Sequence, residues 1–271
     1  MADAFTQFEH EGWERVAGRY DSTWSSSTRQ FIAPLLDAAK VSAGMSVLDV
    51  GCGPGYVSAA CHERAAVPVG IDFSSEMVAI AKKMFSHIRF REGDAQNLTF
   101  ADEHFDRVLA NFALLHLSNP ERAMAEACRV LKSGGKFGFT TWAKKEENIL
   151  VQIVDDALQA HGDLSVELPP GPPYYLYENA DGFRDALERA GFNGGSMNFK
   201  VHNIEWEVPT ARFVFDAERN AGVRTAGLLA RQTPERLNAI QAAIEATVKR
   251  YATGDGFAIP KAAYVVTVSK S

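Results

Sequence analysis

The chain is poor in cysteine, carries no basic cluster and contains no long apolar run. Its three cysteines in 271 residues, Cys52, Cys61 and Cys128, are an odd set without metal-ligand spacing. That argues against a disulfide framework and against a structural metal site, and it points to a reducing compartment. The net charge is −6 and no stretch concentrates lysine and arginine, so the positive surface that a phosphate backbone requires is not expected, and neither is a nucleic-acid partner. No segment is apolar for long enough to span a bilayer, and the N-terminus carries no signal pattern. A cytoplasmic protein with no membrane span is expected. Internal repeats and low-complexity tracts are missing, and nothing sets an oligomeric state. What the chain does have is bulk: 46% of its residues are hydrophobic, enough for one large core with an appended lobe.

The most informative stretch is Val-Leu-Asp-Val-Gly-Cys-Gly-Pro-Gly at 47–55. A β-branched run ends there and meets Gly51, Gly53 and Gly55 at alternate positions, with Asp49 just before them. Glycine turns sharply and lets a ligand approach the backbone closely. A helix expected from Tyr56 would aim its first amides at the same place. Dinucleotide folds begin similarly, but their third glycine or alanine falls where Tyr56 stands here. Next, 67–71 reads as a second buried strand ending at Asp72, which lies 21 residues beyond Gly51. A carboxylate at the C-terminal end of such a strand can accept from both hydroxyls of a ribose. Capping a helix is its alternative task, but Ser74 fills that role, ahead of an apolar face running from Met77 to Phe85.

At this point the sequence resembles the class I S-adenosylmethionine-dependent methyltransferases, from about residue 43 to 141, and most of all their quinone-biosynthesis and small-molecule branch. The loop at 47–55 is similar to that family's glycine motif, Gly-Ile-Asp-Phe-Ser-Ser-Glu-Met at 70–77 to its ribose motif, and Glu-Gly-Asp-Ala-Gln-Asn-Leu at 92–98 to its adenine motif. The stretches 105–108 and 111–116 resemble its fourth strand and active-site exit, and 129–135 the turn into its fifth strand. The resemblance implies S-adenosyl-L-methionine as cofactor and a Rossmann-like, doubly wound α/β sheet of seven strands with the last antiparallel, plus a mostly helical lid. It also implies roles. Gly51, Gly53 and Gly55 would face the methionine part, with Asp49 supporting the loop or the ammonium. Asp72 would hold the ribose, Phe73 and Met77 would pack on the adenine, and Asp94 with the Ala95 amide would meet its polar edge. Asn111 and Phe112 would line the pocket, and Tyr20 would close over the methionine end. Read as residues alone, Phe73 and Met77 also suit a plain core, Asp94 a turn cap, and Tyr20 simple packing.

The expected organisation is N-terminal lid helices over 1–42, a cofactor-binding core over 43–143, and a lid insertion over 144–178. A core helix and strand follow over 179–204, then a helical insertion over 205–260 and a final strand over 261–271. Asn119-Pro120 and Gly134-Gly135 are expected to bracket one helix. Tyr174, Tyr175, Tyr177, Trp206, Phe213 and Phe215 would make the lid apolar, which suits a small, partly hydrophobic or aromatic acceptor; each ring equally suits packing of the lobe. A base is required only if the acceptor loses a proton, and His116, just past Asn111, is the candidate. Its alternative is a histidine satisfied near the cofactor. The leading expectation is therefore methyl transfer to a small molecule. A nicotinamide-dependent oxidoreductase and a non-catalytic cofactor-binding protein are the other readings.

Overall fold

The structure is a computed structural model and describes residues 3–175, 177 and 179–271. Leu176 and Glu178, inside the first expected lid insertion, lie outside the described residues. Seven strands form a single sheet in the order β3-β2-β1-β4-β5-β7-β6. They are β1 (Ser46–Val50), β2 (Val67–Asp72), β3 (Arg89–Glu92), β4 (Phe105–Asn111), β5 (Leu131–Trp142), β6 (Asn193–Val208) and β7 (Phe257–Ser269). The first five run parallel, and β7 enters antiparallel between β5 and β6. Strand order reverses between β1 and β4, so the sheet opens a crevice at their carboxyl ends.

Helices cover both faces because the central strands are buried on both sides. On one face α6 (Pro120–Val130) and α8 (Ala180–Arg189) bring Met124, Ala127, Phe183 and Leu187 onto Val108, Phe137 and Phe139. On the other, α3 (Ile32–Ala38) and α4 (Tyr56–Glu63) bring Leu35, Leu36, Val57 and Cys61 onto Val47 and Leu109. The ribose-motif helix α5 (Ser75–Met84) starts as its sequence predicts, the Ser74 hydroxyl accepting from the Met77 amide at 3.1 Å.

Two expectations need correction. Gly134-Gly135 do not stop a helix: α6 ends at Val130, and the glycines fall within β5. There the register jumps from Leu131 opposite Phe105 to Lys136 opposite Arg107, a bulge that absorbs the extra residues. The second insertion is also shorter than 205–260, because β6 continues to Val208 and β7 begins at Phe257. Glu205–Val208 pair with Pro260–Phe257, so the two strands form a long ribbon beyond the sheet.

A helical lobe packs on that ribbon. It comprises α7 (Ile149–His161), α9 (Phe213–Ala221), α10 (Arg224–Leu229) and α11 (Pro234–Val248), around Trp206, Phe215, Ile240 and Ile244. The N-terminal α1 (Ala4–Tyr20) and α2 (Ser25–Thr28) lie between this lobe and the crevice. No described helix is long and apolar enough to cross a membrane.

Candidate functional site

The loop after β1 takes three left-handed turns, with φ of 65° at Gly51, 49° at Gly53 and 90° at Gly55. A Cβ on Gly51 would lie 2.4 Å from the Ala113 Cβ, so that position is closed to any side chain. A Cβ on Gly53 would meet nothing within 4 Å. The loop thus has one tightly packed glycine and one that faces open space, as a cradle for a ligand requires.

Asp72 ties the end of β2 to this loop. Its Oδ2 accepts from the Gly53 amide at 2.8 Å and its Oδ1 from the Ser74 amide at 2.9 Å. It is 6% exposed, and burial raises its carboxyl above the usual range against the two amide hydrogen bonds. Each oxygen keeps a further lone pair for a hydroxyl donor. Asp49 turns the other way. Its Oδ2 accepts from the Ser58 amide at 3.0 Å and the Ser58 hydroxyl at 2.7 Å in the first turn of α4. Its Oδ1 is buried without a partner among the described residues, and burial pushes the carboxyl up to about 7.

A cavity of about 930 Å³ runs from this loop into the helical lobe. Gly51, Gly53, Asp72, Phe73, Met77, Asp94 and Ala95 line its first end, and Tyr20, Asn111, Phe112 and His116 also line it. Asp49 and Gly55 do not line it, because Asp49 braces α4 and a Cβ on Gly55 would sit 2.7 Å from the Phe90 ring. Asp94 Oδ1 accepts from the Gln96 amide at 2.8 Å, which fixes the adenine-motif turn. Asn111 is held by the Thr140 hydroxyl at 2.7 Å and reaches the Thr28 carbonyl at 3.3 Å. Phe112 has φ 58°, an uncommon conformation for a bulky residue, and its ring stacks on Trp142 at 4.0 Å. Tyr20 shares a 2.9 Å hydrogen bond with Thr28, and burial pushes its phenol up to about 12.

His116 is engaged by the lid helix. Its Nδ1 lies 2.9 Å from Glu9 Oε2, Trp13 stands edge-on to its ring at 4.8 Å, and its charge acts on Asp72. Arg224 Nε donates to the other Glu9 oxygen at 2.9 Å. Among the expected lid aromatics, Tyr174 and Tyr175 line the cavity. Trp206 and Phe215 are buried in the lobe, Phe213 packs on Trp206, and Tyr177 packs on Phe183 while donating to Glu121 at 3.1 Å.

The far end holds residues that the sequence reading missed: Trp24, Trp142, Asp155, Glu218 and Lys261. Glu9 and Lys261 did leave a signal. Glu9 shares the buried face of α1 with Phe5, Gly12 and Val16, and Lys261 is the one charged residue in the largely apolar stretch 257–268. A charge in such a place is a functional or structural pair awaiting its partner.

A nucleotide-type cofactor site at the switch point of an α/β sheet, covered by a helical lid, defines the class. The residue set suits S-adenosylmethionine: a glycine loop with open space at Gly53, a strand-end carboxylate, and Phe73 and Met77 beside Asp94. Residues 48–139 match the methyltransferase domain family. Over 128 residues the chain is 37% identical to a demethylmenaquinone methyltransferase of Renibacterium salmoninarum, covering 46% of this chain and 54% of that protein. Over 149 residues it is 33% identical to a phosphatidylethanolamine N-methyltransferase of Cereibacter sphaeroides, covering 50% of this chain and 73% of the relative. The chain spans about half the length of the first of these, 54%. The crystal structure of the 4+2 cyclase SpnF aligns over 99% of this chain and 97% of its own, with TM-score 0.60 and 22% identity. The chain belongs to the class I S-adenosylmethionine-dependent methyltransferases. The cyclase shows that this fold alone does not decide a reaction.

Proposed function

We propose that the chain transfers a methyl group from S-adenosylmethionine to a small, partly hydrophobic or aromatic acceptor. The observation that carries this reading is the continuity of the cavity, from the glycine loop and Asp72 to the aromatic far end at Trp142, Tyr174 and Tyr175. When bound, S-adenosylmethionine supplies a methyl on a sulfonium, a carbon electrophile with a neutral thioether as leaving group. Asp72 takes the ribose hydroxyls, Asp94 and the Ala95 amide take the adenine edge, and Phe73 and Met77 take its faces. Gly51 and Gly53 let the backbone approach the methionine part, while Tyr20, Asn111 and Phe112 wall it in.

Such a site acts mainly by position and exclusion of water. Alignment contributes roughly 7–11 kcal/mol in favourable cases, and aromatic faces near a cationic sulfur about 0.5–2 kcal/mol. Glu9 holds His116 through Nδ1, which leaves Nε2 for the cavity that the ring lines, so His116 stays the candidate base at the cofactor end where an acceptor must lose a proton. The acceptor is a small molecule rather than a nucleic acid, consistent with the net charge of −6. A reducing cytoplasm suits Cys52, Cys61 and Cys128, which are buried and free.

Calorimetric titration with S-adenosylhomocysteine and with NAD, on wild type and Asp72→Ala, tests the cofactor. Homocysteine-adduct binding that weakens about tenfold or more in the variant is expected, since hydrogen bonds to a charged group are worth about 1.5–3 kcal/mol each. Binding of NAD alone, or of neither ligand, overturns the reading. Methyl transfer from labelled cofactor to a panel of phenols, amines and quinols then separates an enzyme from a binding protein.

A further inference from the structure

Lys261 lies in β7 where the strand leaves the sheet for the lobe, 2% exposed and facing the far end of the cavity. Its Nζ donates to the Ser27 hydroxyl at 2.6 Å. Three indole faces surround it, Trp142 at 4.0 Å, Trp206 at 4.7 Å and Trp24 at 4.8 Å. Among the described residues no carboxylate oxygen comes within 4.0 Å of it, although the charge of Glu218 reaches it. An ammonium has three donors, and Ser27 takes one. Burying such a group without an ion pair is costly, and aromatic faces offset only part of that cost. This arrangement is therefore complete only when an acceptor atom arrives from the cavity.

Glu218, from α9, opens onto the same chamber, with the Thr225 hydroxyl beside it; Asp155, from α7, adds a second carboxylate. Tyr174 and Tyr175 complete the walls. A cationic acceptor would meet Lys261 with like charge. A hydroxyl suits the gap on both sides, its oxygen accepting from Lys261 and its proton directed at Glu218.

We propose that this chamber binds the acceptor through an acidic hydroxyl, that of a phenol or an enol, whose oxygen accepts from Lys261 and whose proton passes to Glu218. The O–H bond breaks, its electron pair stays on the oxygen as phenolate or enolate, and the proton ends on the Glu218 carboxylate. No other reactant takes part. Burial lowers the Lys261 ammonium to about 7 and raises the Glu218 carboxyl to about 7, against the pull each exerts on the other. A carboxylate so raised is a stronger proton acceptor than an exposed one, and a new anion beside Lys261 keeps the ammonium charged. The binding and ionisation stand on this chamber alone; only the fate of the oxygen rests on the methyl-transfer reading.

The probe is 4-cyanophenol, whose ionised form absorbs at longer wavelength than its neutral form, added to the full chain at about pH 7 with and without S-adenosylhomocysteine. Its methyl ether, 4-cyanoanisole, is the control. Wild type is expected to bind the phenol with appearance of the ionised band, and to bind the ether about tenfold or more weakly. Lys261→Met is expected to keep S-adenosylhomocysteine binding while losing the ionised band, and Lys261→Arg to recover part of it. Glu218→Gln is expected to bind the phenol but release its proton to the solution, which wild type does not. A phenol bound in neutral form, equal affinity for the ether, or an unchanged band in Lys261→Met overturns the inference. Should Lys261→Met fail to fold, the wild-type comparison of phenol with ether decides alone. S-adenosylhomocysteine binding without the band sinks this inference and leaves the methyl-transfer reading intact. The band without any S-adenosylhomocysteine binding supports the chamber and sinks that reading instead.

Discussion

Removing the Glu9 carboxylate is expected to release the N-terminal lid. Glu9 is fully buried on α1, and its two oxygens bind His116 and Arg224 at 2.9 Å each. Arg224, 15% exposed, also donates to the Leu115 carbonyl at 2.6 Å and the Pro172 carbonyl at 2.9 Å, and stacks over Phe5 at 4.5 Å. One carboxylate thus joins the lid helix to the segment after β4, to the Pro-rich lid segment and to α10. Burial alone would raise the Glu9 carboxyl, but the charge and hydrogen bond of His116 and those of Arg224 outweigh it, and the group sits below its usual 4.5. Glu9→Leu keeps the volume and leaves Arg224 without its counter-charge. Breaking a buried pair on one side costs about 3–5 kcal/mol, a large part of the roughly 5–15 kcal/mol that holds a domain together. Glu9→Leu with Arg224→Met removes both charges and is expected to recover part of that loss, giving a coupling of about 0.5–3 kcal/mol. The lowered carboxyl also sets a sign. Its stabilisation is complete above the unfolded value of 4.5 and is lost as pH falls through the lower folded value, so Glu9→Leu flattens that part of the acid-unfolding curve. Urea unfolding at neutral and acid pH, alongside S-adenosylhomocysteine titration, measures all of this. A Glu9→Leu cost below about 1 kcal/mol, or strict additivity in the double variant, would refute the latch.

Gly51→Ala and Gly53→Ala separate packing from ligand space. Gly53→Ala is expected to fold at a cost of about 1–2 kcal/mol for its left-handed backbone, while S-adenosylhomocysteine binding drops sharply, because its Cβ enters open space. Gly51→Ala adds a clash with Ala113, worth a further 1–3 kcal/mol or so, and is expected to lower the melting temperature clearly more than Gly53→Ala does; melting temperature and titration together tell the two apart. Asp49→Asn is expected to change pH dependence. The folded carboxyl at about 7 stands above its unfolded 3.8, so wild-type stability falls as pH rises through that window, by at most roughly 4 kcal/mol at 1.36 kcal/mol per unit. Urea midpoints at pH about 5 and 8 should differ less in the variant than in wild type, and parallel profiles would remove the charge from the explanation.

How far the sequence predicts this molecule depends on how local each feature is. The cofactor end is encoded within short stretches. Residues 47–55 carry a strand, its turn and the helix start, and Asp72 follows at one βα unit, so the strand ends β1 (Ser46–Val50) and β2 (Val67–Asp72) and the Ser74 cap were all readable. The helix expected from Asn179 emerges as α8 (Ala180–Arg189) for the same reason, the Asn179 side chain accepting from the Gly182 amide at 3.0 Å. Gly134-Gly135 misled because glycine punctuates bulges as well as helix ends, and only the pairing partner across the sheet distinguishes the two. The aromatics of the lobe misled differently. Trp206 sits where β6 passes beyond the sheet, and its burial depends on Trp24 stacking at 5.0 Å from 182 residues earlier in the chain.

The acceptor end was illegible for a physical reason that also says where specificity resides. Trp24, Trp142, Glu218 and Lys261 come from α2's leading edge, the end of β5, α9 and β7, and no window of sequence contains two of these elements. They meet only because β7 is inserted between β5 and β6, which carries Lys261 against Trp142 and Trp206, while Ser27 reaches it from the N-terminal lid. Lys261 is therefore positioned by the lid it helps to hold. If its ammonium binds the acceptor oxygen, acceptor binding and lid closure are linked, because ordering Lys261 also orders the Ser27 contact. The linkage has a measurable consequence: cyanophenol should slow S-adenosylhomocysteine dissociation in wild type and not in Ser27→Ala, where Lys261 loses its tie to α2. Equal dissociation rates with and without the phenol would leave the two ends of the cavity energetically independent.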